Sequence, residues 1–397
     1  MRFKLRGARL VDVSTDRASG AVIIDDGKLA ELTDDTHDAD SDVPTFDVDG
    51  MILTPGFLDI HTHGGGGFNL HTSDPAEIDA FAHWAPSTGL TSFLVAVVGV
   101  PDALPIPQLE AAVMACERGS TGAEPVGIYL EGPYINLARR GAHLASWLRL
   151  PDLDETNALL ELSSGHLRLI TVAPELPGSA PVIRRLVEAG VTVSIGHTDA
   201  TFEQTLEAIE LGITHITHCC NAMRPLLHRE PGPLGAVALS PKVTGELIVD
   251  GVHVHPAMVT VVNRTLGADR TIVITDAQAG AGKEGATFEF AGQPAHVERG
   301  AARLADGTIT GSVLTMDQAL RNTLHMMPVS LPEAVGMLTL NPARSIHVDD
   351  HKGRLHPGYD ADLLLFTPDL TLQATFCRGQ LAYATDAWRA RLANISR

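Results

Sequence analysis

His61 and His63 close the run Thr54-Pro-Gly-Phe-Leu-Asp-Ile-His-Thr-His63, and the four glycines Gly64 to Gly67 follow at once. The apolar stretch from Ile52 to Ile60 reads as a buried strand, along which side chains alternate faces. Histidines at i and i+2 therefore point the same way at its end, as one metal ion requires of two imidazoles. The glycines read as a mobile turn through which a ligand can approach the backbone. In a chain with 18 histidines a surface His-x-His by chance is the plain alternative. The pair does not stand alone.

Glu131, His197, His218, His253 and Asp276 each close an apolar β run, such as Val126-Gly-Ile-Tyr-Leu130 or Thr271-Ile-Val-Ile-Thr275. Candidate strands end at His61 and His63, Val97, Glu131, Pro174-Glu175, His197, His218, Val252-His253 and Asp276. Helical patterns lie between several of them, at Glu77 to Ala85, Leu109 to Cys116, Val182 to Ala189 and Phe202 to Leu211. This alternation predicts an α/β chain with a (β/α)8, TIM-like barrel, whose strand C-termini converge on one active site.

The candidate ligands are His61, His63, Glu131, His197, His218 and Asp276. Imidazole and carboxylate together suit zinc or iron. A single catalytic zinc typically takes three protein ligands, so the surplus favours two divalent metals per subunit over one, with Glu131 as the natural bridge. His197 or His218 alone could be a hydrogen-bonded barrel histidine; their joint placement at strand ends favours one metal site. Asp276 can carry a proton from the attacking water to a leaving group. Its plain alternative is a helix-capping aspartate.

Around this core, both ends of the chain read as short strands. Phe3 to Val13, Ala21 to Ile24 and Lys28 to Leu32 open the chain; Asp362 to Phe366, Gln373 to Cys377 and Gln380 to Tyr383 close it. We expect them to join in one small β-sandwich domain, residues 1–50 plus 345–397, with the barrel at 51–344 inserted between. Residues 277–285 read as a flexible loop, Thr287 to Ile309 as a hairpin excursion, and Met316 to Met326 and Leu331 to Leu338 as helices.

A net charge of −19 argues against a nucleic-acid partner. An anionic substrate would need a local arginine or backbone N–H groups. The four cysteines form no CxxC pair, so disulfides are not expected. Of Cys219 and Cys220, beside His218, at most one could join a metal site, and buried packing is the expectation. No apolar run has transmembrane length and none follows the basic N-terminus. No membrane partner is expected, and cytoplasm is the expected location.

Pro55-Gly-Phe-Leu-Asp-Ile-His-Thr-His63 and Pro357-Gly-Tyr-Asp-Ala-Asp-Leu363 resemble the amidohydrolase superfamily. In order along the chain, Leu130-Glu-Gly-Pro-Tyr-Ile-Asn136, Gly141-Ala-His143, Gly196-His-Thr-Asp-Ala-Thr201, His218-Cys-Cys-Asn-Ala-Met223, His228-Arg-Glu-Pro-Gly232, Asp250-Gly-Val-His253 and Gly311-Ser-Val-Leu-Thr-Met316 resemble its N-acetylglucosamine-6-phosphate deacetylases. The resemblance implies hydrolysis of the acetamide of a phosphorylated amino sugar, in amino-sugar catabolism or recycling. It makes Glu131, His197 and His218 the core ligands and Asp276 the acid/base. It places His143 near the acetamide carbonyl, with Asn221, Ala222 and His253 around the sugar. Arg229 falls at the phosphate position, reached from the partner subunit of a homodimer. Keeping both His61 and His63 goes with a second metal.

After His143 the chain reads Leu-Ala-Ser-Trp-Leu148, where many relatives have Asn-Pro. Plainer roles exist for three of these residues: His143 as an exposed loop histidine, His253 as a strand cap, Arg229 as half of a surface ion pair with Glu230. Three other functions compete. They are deacetylation of the galactosamine epimer, hydrolysis of a cyclic amide, and a catalytically dead barrel used as a scaffold, whose mark would be lost ligands.

Overall fold

The computed structural model describes residues 1–34, 43–283, 285–290 and 293–392. Residues 35–42 and 393–397 of the expected terminal domain lie outside them, as do Glu284 of the loop and residues 291–292 of the excursion. The chain opens with β1 (Arg2–Asp12), β2 (Thr15–Asp25), β3 (Lys28–Thr33), β4 (Thr45–Asp47) and β5 (Ile52–Pro55). Next come β6 (Phe57–Asp59) and the short pair β7 (Gly64–Gly65) and β8 (Phe68–Asn69). Then follow β9 (Leu90–Val98), β10 (Glu124–Glu131), β11 (Leu167–Val172), β12 (Thr192–Ile195), β13 (His215–Ile216), β14 (Thr244–Ile248) and β15 (Thr271–Ile274). The last strands are β16 (Thr287–Phe290), β17 (Gln293–Glu298), β18 (Ala301–Leu304), β19 (Ile309–Ser312), β20 (Leu363–Phe366), β21 (Leu372–Cys377) and β22 (Gln380–Ala384).

β6 and β9 to β15 form one parallel sheet in chain order, the expected barrel. Its last strand is tied back to its first. Thr275 Oγ1 donates to Asp59 Oδ2 at 2.5 Å, and the Asp276 N–H to the His61 carbonyl at 2.8 Å. Every residue of β9 is buried, as in parallel strands covered on both faces. Outer helices are set by local chemistry: Thr201 and Gln204 make a capping box for Phe202–Glu210, and Asp74 caps Pro75–Trp84. Helices Met316–Met326 and Leu331–Leu338 form as expected. Among the described residues no helix is long and apolar enough to cross a membrane.

Three expectations change. Ile52 to Ile60 is not one strand. β5 pairs with β1 and β20 in the sheet of the termini, and β6 pairs with β9 in the barrel. The switch falls at Gly56, where a Cβ would sit 2.1 Å from Thr91 Oγ1. Both halves are wholly buried, so hydrophobic pattern cannot show the change of sheet. The glycines after His63 are not a loose turn. They form the β7–β8 hairpin, and a Cβ on Gly65 or Gly66 would lie 2.4 Å from the Trp84 ring. Finally, the excursion is a four-stranded antiparallel sheet, β16 to β19. Ser312 N–H bonds to the Asp276 carbonyl at 2.8 Å, fixing that sheet directly behind Asp276.

Strands from both termini join in one sheet ordered β22-β21-β20-β5-β1-β2-β3, with β4 parallel to β1. Register shifts along β1 bend it. Phe3 of β1 meets Phe376 of β21 with ring centroids 6.0 Å apart, so the sheet curls over its own core.

Lys352 clamps this sheet to the barrel. Its side chain is 2% exposed and reaches Glu124 at 2.6 Å, Asp360 at 2.8 Å and Asp362 at 2.8 Å. Burial pushes the Glu124 and Asp360 carboxyls up, but Lys352 outweighs it and both lie below their usual range. Lys352→Met leaves these carboxylates without that cation and should cost about 3–5 kcal/mol at neutral pH. Depressed carboxyls contribute stability above the unfolded carboxylate range, near pH 4, and lose it as pH falls through their folded values. The gap between variant and wild type in denaturant unfolding should therefore shrink toward acid pH. A gap that is constant with pH would contradict the clamp.

Candidate active site

The barrel brings the candidate ligands together at the C-terminal ends of its strands. Glu131 is the last residue of β10; His61 and His63 follow β6, His197 follows β12, His218 follows β13 and Asp276 follows β15. The two histidines of the His-x-His pair lie just past the strand, in irregular chain, yet reach the same centre. Glu131 Oε1 lies 3.0 Å from His197 Nε2, 3.4 Å from His218 Nε2 and 3.5 Å from His61 Nε2. Its Oε2 lies 3.2 Å from both His63 Nε2 and His143 Nε2. Asp276 Oδ1 is 3.3 Å from His63 Nε2 and 3.7 Å from His61 Nε2. His197, His218 and Asp276 have φ of +46°, +26° and +48°. Such backbones cost about 1–3 kcal/mol each and gather where a site over-determines them.

Whether this donor set fits a cation can be judged from its hydrogen bonds. His197 Nδ1 donates to the Arg139 carbonyl at 2.9 Å and His61 Nδ1 to Glu246 Oε2 at 2.8 Å. His197 therefore turns an Nε2 lone pair inward, and His61 does so once a cation replaces the proton that, against its burial, Glu246 and then Asp276 favour on its ring. His197 Nε2 and His218 Nε2 face each other at 3.0 Å, and buried His61 Nε2 has no hydrogen-bond partner. Converging lone pairs around a carboxylate, with the Nδ1 atoms of His61 and His197 held by acceptors, are what a divalent metal needs. Among the described residues two clusters qualify by mutual distance: His61 with His63 and Asp276, and Glu131 with His143 and His197. Glu131, a member of the second, also reaches His61 and His63 of the first.

Burial pushes the Glu131 carboxyl up, but His143, then His197 and His218, outweigh it and hold it well below its usual range. Asp276 is likewise lowered, burial being outweighed by His61 and His63. Burial depresses His63, yet Asp276 and Glu131 raise it overall to about 9. His143 and His218 are lowered, chiefly by burial. Burial thus leaves the His143 imidazole neutral beside the Glu131 carboxylate, 3.2 Å away.

The cavity over these groups is also lined by Asn221, Ala222 and His253. His253 does not end a strand: β14 stops at Ile248, and the His253 ring is held by Asp250 at 2.6 Å in the loop beyond. His143 is buried, not a solvent-exposed loop residue. Arg229 is exposed and does not line the cavity of its own chain. Neither Cys219 nor Cys220 lines it; burial pushes the Cys219 thiol up, as packing requires. β11 ends at Val172, and Glu175 beyond it accepts from Asn136, Thr198 and Asp199 instead of entering the site. Asp276 caps no helix, since the excursion sheet follows it.

Sequence reasoning missed several neighbours. Gln278, Phe290 and Thr310 come from the segment after Asp276 and line the cavity. Trp147 sets its ring edge-on to His143, 6.0 Å between centroids, and lies 6.3 Å from Phe290. Glu246, inside β14, was also missed. A lone carboxylate in the apolar run Glu246-Leu-Ile-Val249 was the available signal.

The chain matches the amidohydrolase family over residues 52–382. It is 35% identical over 389 residues to the N-acetylglucosamine-6-phosphate deacetylase of Lysinibacillus sphaericus, covering 96% of this chain and 98% of that protein. It is also 35% identical over 334 residues to the N-acetylgalactosamine-6-phosphate deacetylase of Escherichia coli O157:H7, covering 84% and 88%. A solved mutant of the N-acetyl-D-glucosamine-6-phosphate deacetylase of Mycobacterium smegmatis, in complex with N-acetyl-D-glucosamine-6-phosphate, is similar with a TM-score of 0.91. That pair is 31% identical, over 96% of this chain and 100% of the other. The chain belongs to the amidohydrolase family and, within it, to the group of the N-acetylglucosamine-6-phosphate deacetylases.

Proposed function

We propose that this chain hydrolyses the acetamide of N-acetylglucosamine 6-phosphate to glucosamine 6-phosphate and acetate. The observation that carries the reading is the placement of Asp276 and His143 in one cavity with Glu131 and the imidazoles gathered around it. Glu131, His197 and His218 would hold one divalent cation, zinc or iron, and His61, His63 and Asp276 a second. When bound, such a cation would supply Lewis acidity to the acetamide carbonyl and to an attacking water.

The chain's own residues do the rest. Asp276, kept anionic by His61 and His63 against its burial, takes a proton from the attacking water and returns it to the amine as the C–N bond breaks. His143, kept neutral by burial, offers a ring N–H to the carbonyl oxygen as that oxygen gains charge. Asn221, Ala222 and His253 surround the sugar. The reading is of a cytoplasmic enzyme of amino-sugar catabolism.

Arg229 supplies the phosphate contact, from the partner subunit of a homodimer. It is exposed, beside exposed Leu226 and Leu227, which a second subunit would cover. In a chain of net charge −19, a phosphate with nearly two negative charges needs a local guanidinium. Arg229→Ala should lower kcat/KM for the phosphorylated sugar by about 2–4 kcal/mol, roughly 30- to 1,000-fold, and barely change the slow unphosphorylated reaction. In mixed dimers carrying Arg229→Ala on one subunit and Asp276→Asn on the other, one site has both defects and the other neither. Activity should return to near half of wild type. A hybrid as inactive as its parents would put Arg229 in its own subunit's site.

Its likeness to the Escherichia coli protein favours one second reading, the galactosamine epimer. Acetate release from the two 6-phosphates, compared by kcat/KM, decides. Faster turnover of the galactosamine compound would replace the first reading.

A further inference from the structure

Behind the donors lies a buried group that the chemistry above does not use. Glu246 sits inside β14, is 0% exposed and does not line the cavity. Its Oε2 accepts from His61 Nδ1 at 2.8 Å, from Thr217 Oγ1 at 2.5 Å and from the His218 N–H at 3.1 Å. Its Oε1 meets His215 Nε2 at 3.0 Å, and His215 Nδ1 faces Thr244 Oγ1 at 2.8 Å and Ser345 Oγ at 2.9 Å.

Barrel interiors are ordinarily filled by branched apolar side chains. A carboxylate there loses its hydration, and no Lys or Arg is among its described hydrogen-bond partners; only imidazoles, a hydroxyl and a backbone amide offset the loss. Its position gives that arrangement a consequence. A neutral imidazole carries one proton, on either ring nitrogen. An acceptor fixed at His61 Nδ1 keeps the proton there and leaves Nε2 as a lone pair aimed at Glu131 and Asp276. The same oxygen holds the amide of His218, the candidate ligand that follows the neighbouring strand β13.

We infer that Glu246 is the positioning residue that makes His61 a metal donor, and that it decides whether the chain holds its second cation. This rests on the two-cation reading above. Glu246→Met fills the same space without an acceptor. Thr217 Oγ1, 3.0 Å from His61 Nδ1, then loses its own acceptor and can donate to Nδ1, so the His61 proton can move to Nε2 and point N–H at the cation. Glu246→Gln keeps a carbonyl acceptor for His61 and removes only the charge behind the ring.

The test is zinc stoichiometry and affinity of the purified full chain, by equilibrium dialysis with elemental analysis, alongside thermal unfolding. Wild type should bind two zinc ions per chain and Glu246→Met one. Glu246→Gln should bind two, the weaker about tenfold more weakly than in wild type, within the usual range for a group supporting a ligand. A wild type that binds a single zinc overturns the two-cation reading, and this inference with it. A wild type and a Glu246→Met variant that both bind two overturn this inference alone, even if the variant melts lower. Should Glu246→Met fail to fold, unchanged zinc affinity in Glu246→Gln overturns it.

Discussion

Asn in place of Asp276 should lower turnover by roughly 10²- to 10⁴-fold while leaving the cation at Glu131, His197 and His218 in place. The side chain lies 3.3 Å from His63 Nε2 and 3.7 Å from His61 Nε2, and it lines the cavity. Asn keeps that shape and one donor oxygen but cannot take up a proton near neutral pH. The missing interaction belongs to the transition state, so kcat and kcat/KM should fall together with KM nearly unchanged. Steady-state acetate release with parallel elemental analysis checks this. A fall of less than tenfold would remove Asp276 as the proton carrier.

Glu131→Gln should remove most of the metal and the activity at once. The two oxygens of Glu131 face five imidazoles, those of His61, His63, His143, His197 and His218, at 3.0 to 3.5 Å. Gln cancels the negative charge at that centre and turns an NH2 donor toward lone pairs that need a cation. Cation content should drop to about a tenth of wild type or less, since affinity in such sites depends on anionic and neutral donors acting together. The protein should still fold, because the barrel core does not depend on this carboxylate for its apolar packing. A fully metallated, fully active variant would refute the assignment.

Much of this was legible from pattern. β9, β10 and β15 are apolar runs of strand length, and Glu131 and Asp276 stand at or just after their ends, so the barrel and its two carboxylates could be read together. The sheet switch at Gly56 was not legible, because residues buried on both sides of a break carry the same hydrophobic signal. Glu246 was hidden for a different reason. One carboxylate in a strand can as well face solvent, and only the positions of His61, His215 and Thr217, brought together across strands, reveal that it is buried. Phe290 and Thr310 reach the cavity through the antiparallel excursion, whose packing against the barrel no spacing in the sequence encodes.

The central claim is metal-dependent removal of acetate from a phosphorylated amino sugar. Its most direct test is acetate release by zinc- or iron-loaded protein from N-acetylglucosamine 6-phosphate and from N-acetylglucosamine, measured side by side as kcat/KM. The account predicts rapid release from the phosphorylated sugar, faster by roughly 30- to 1,000-fold, the value of one guanidinium–phosphate contact. No acetate from either sugar, or equal rates from both, would contradict it.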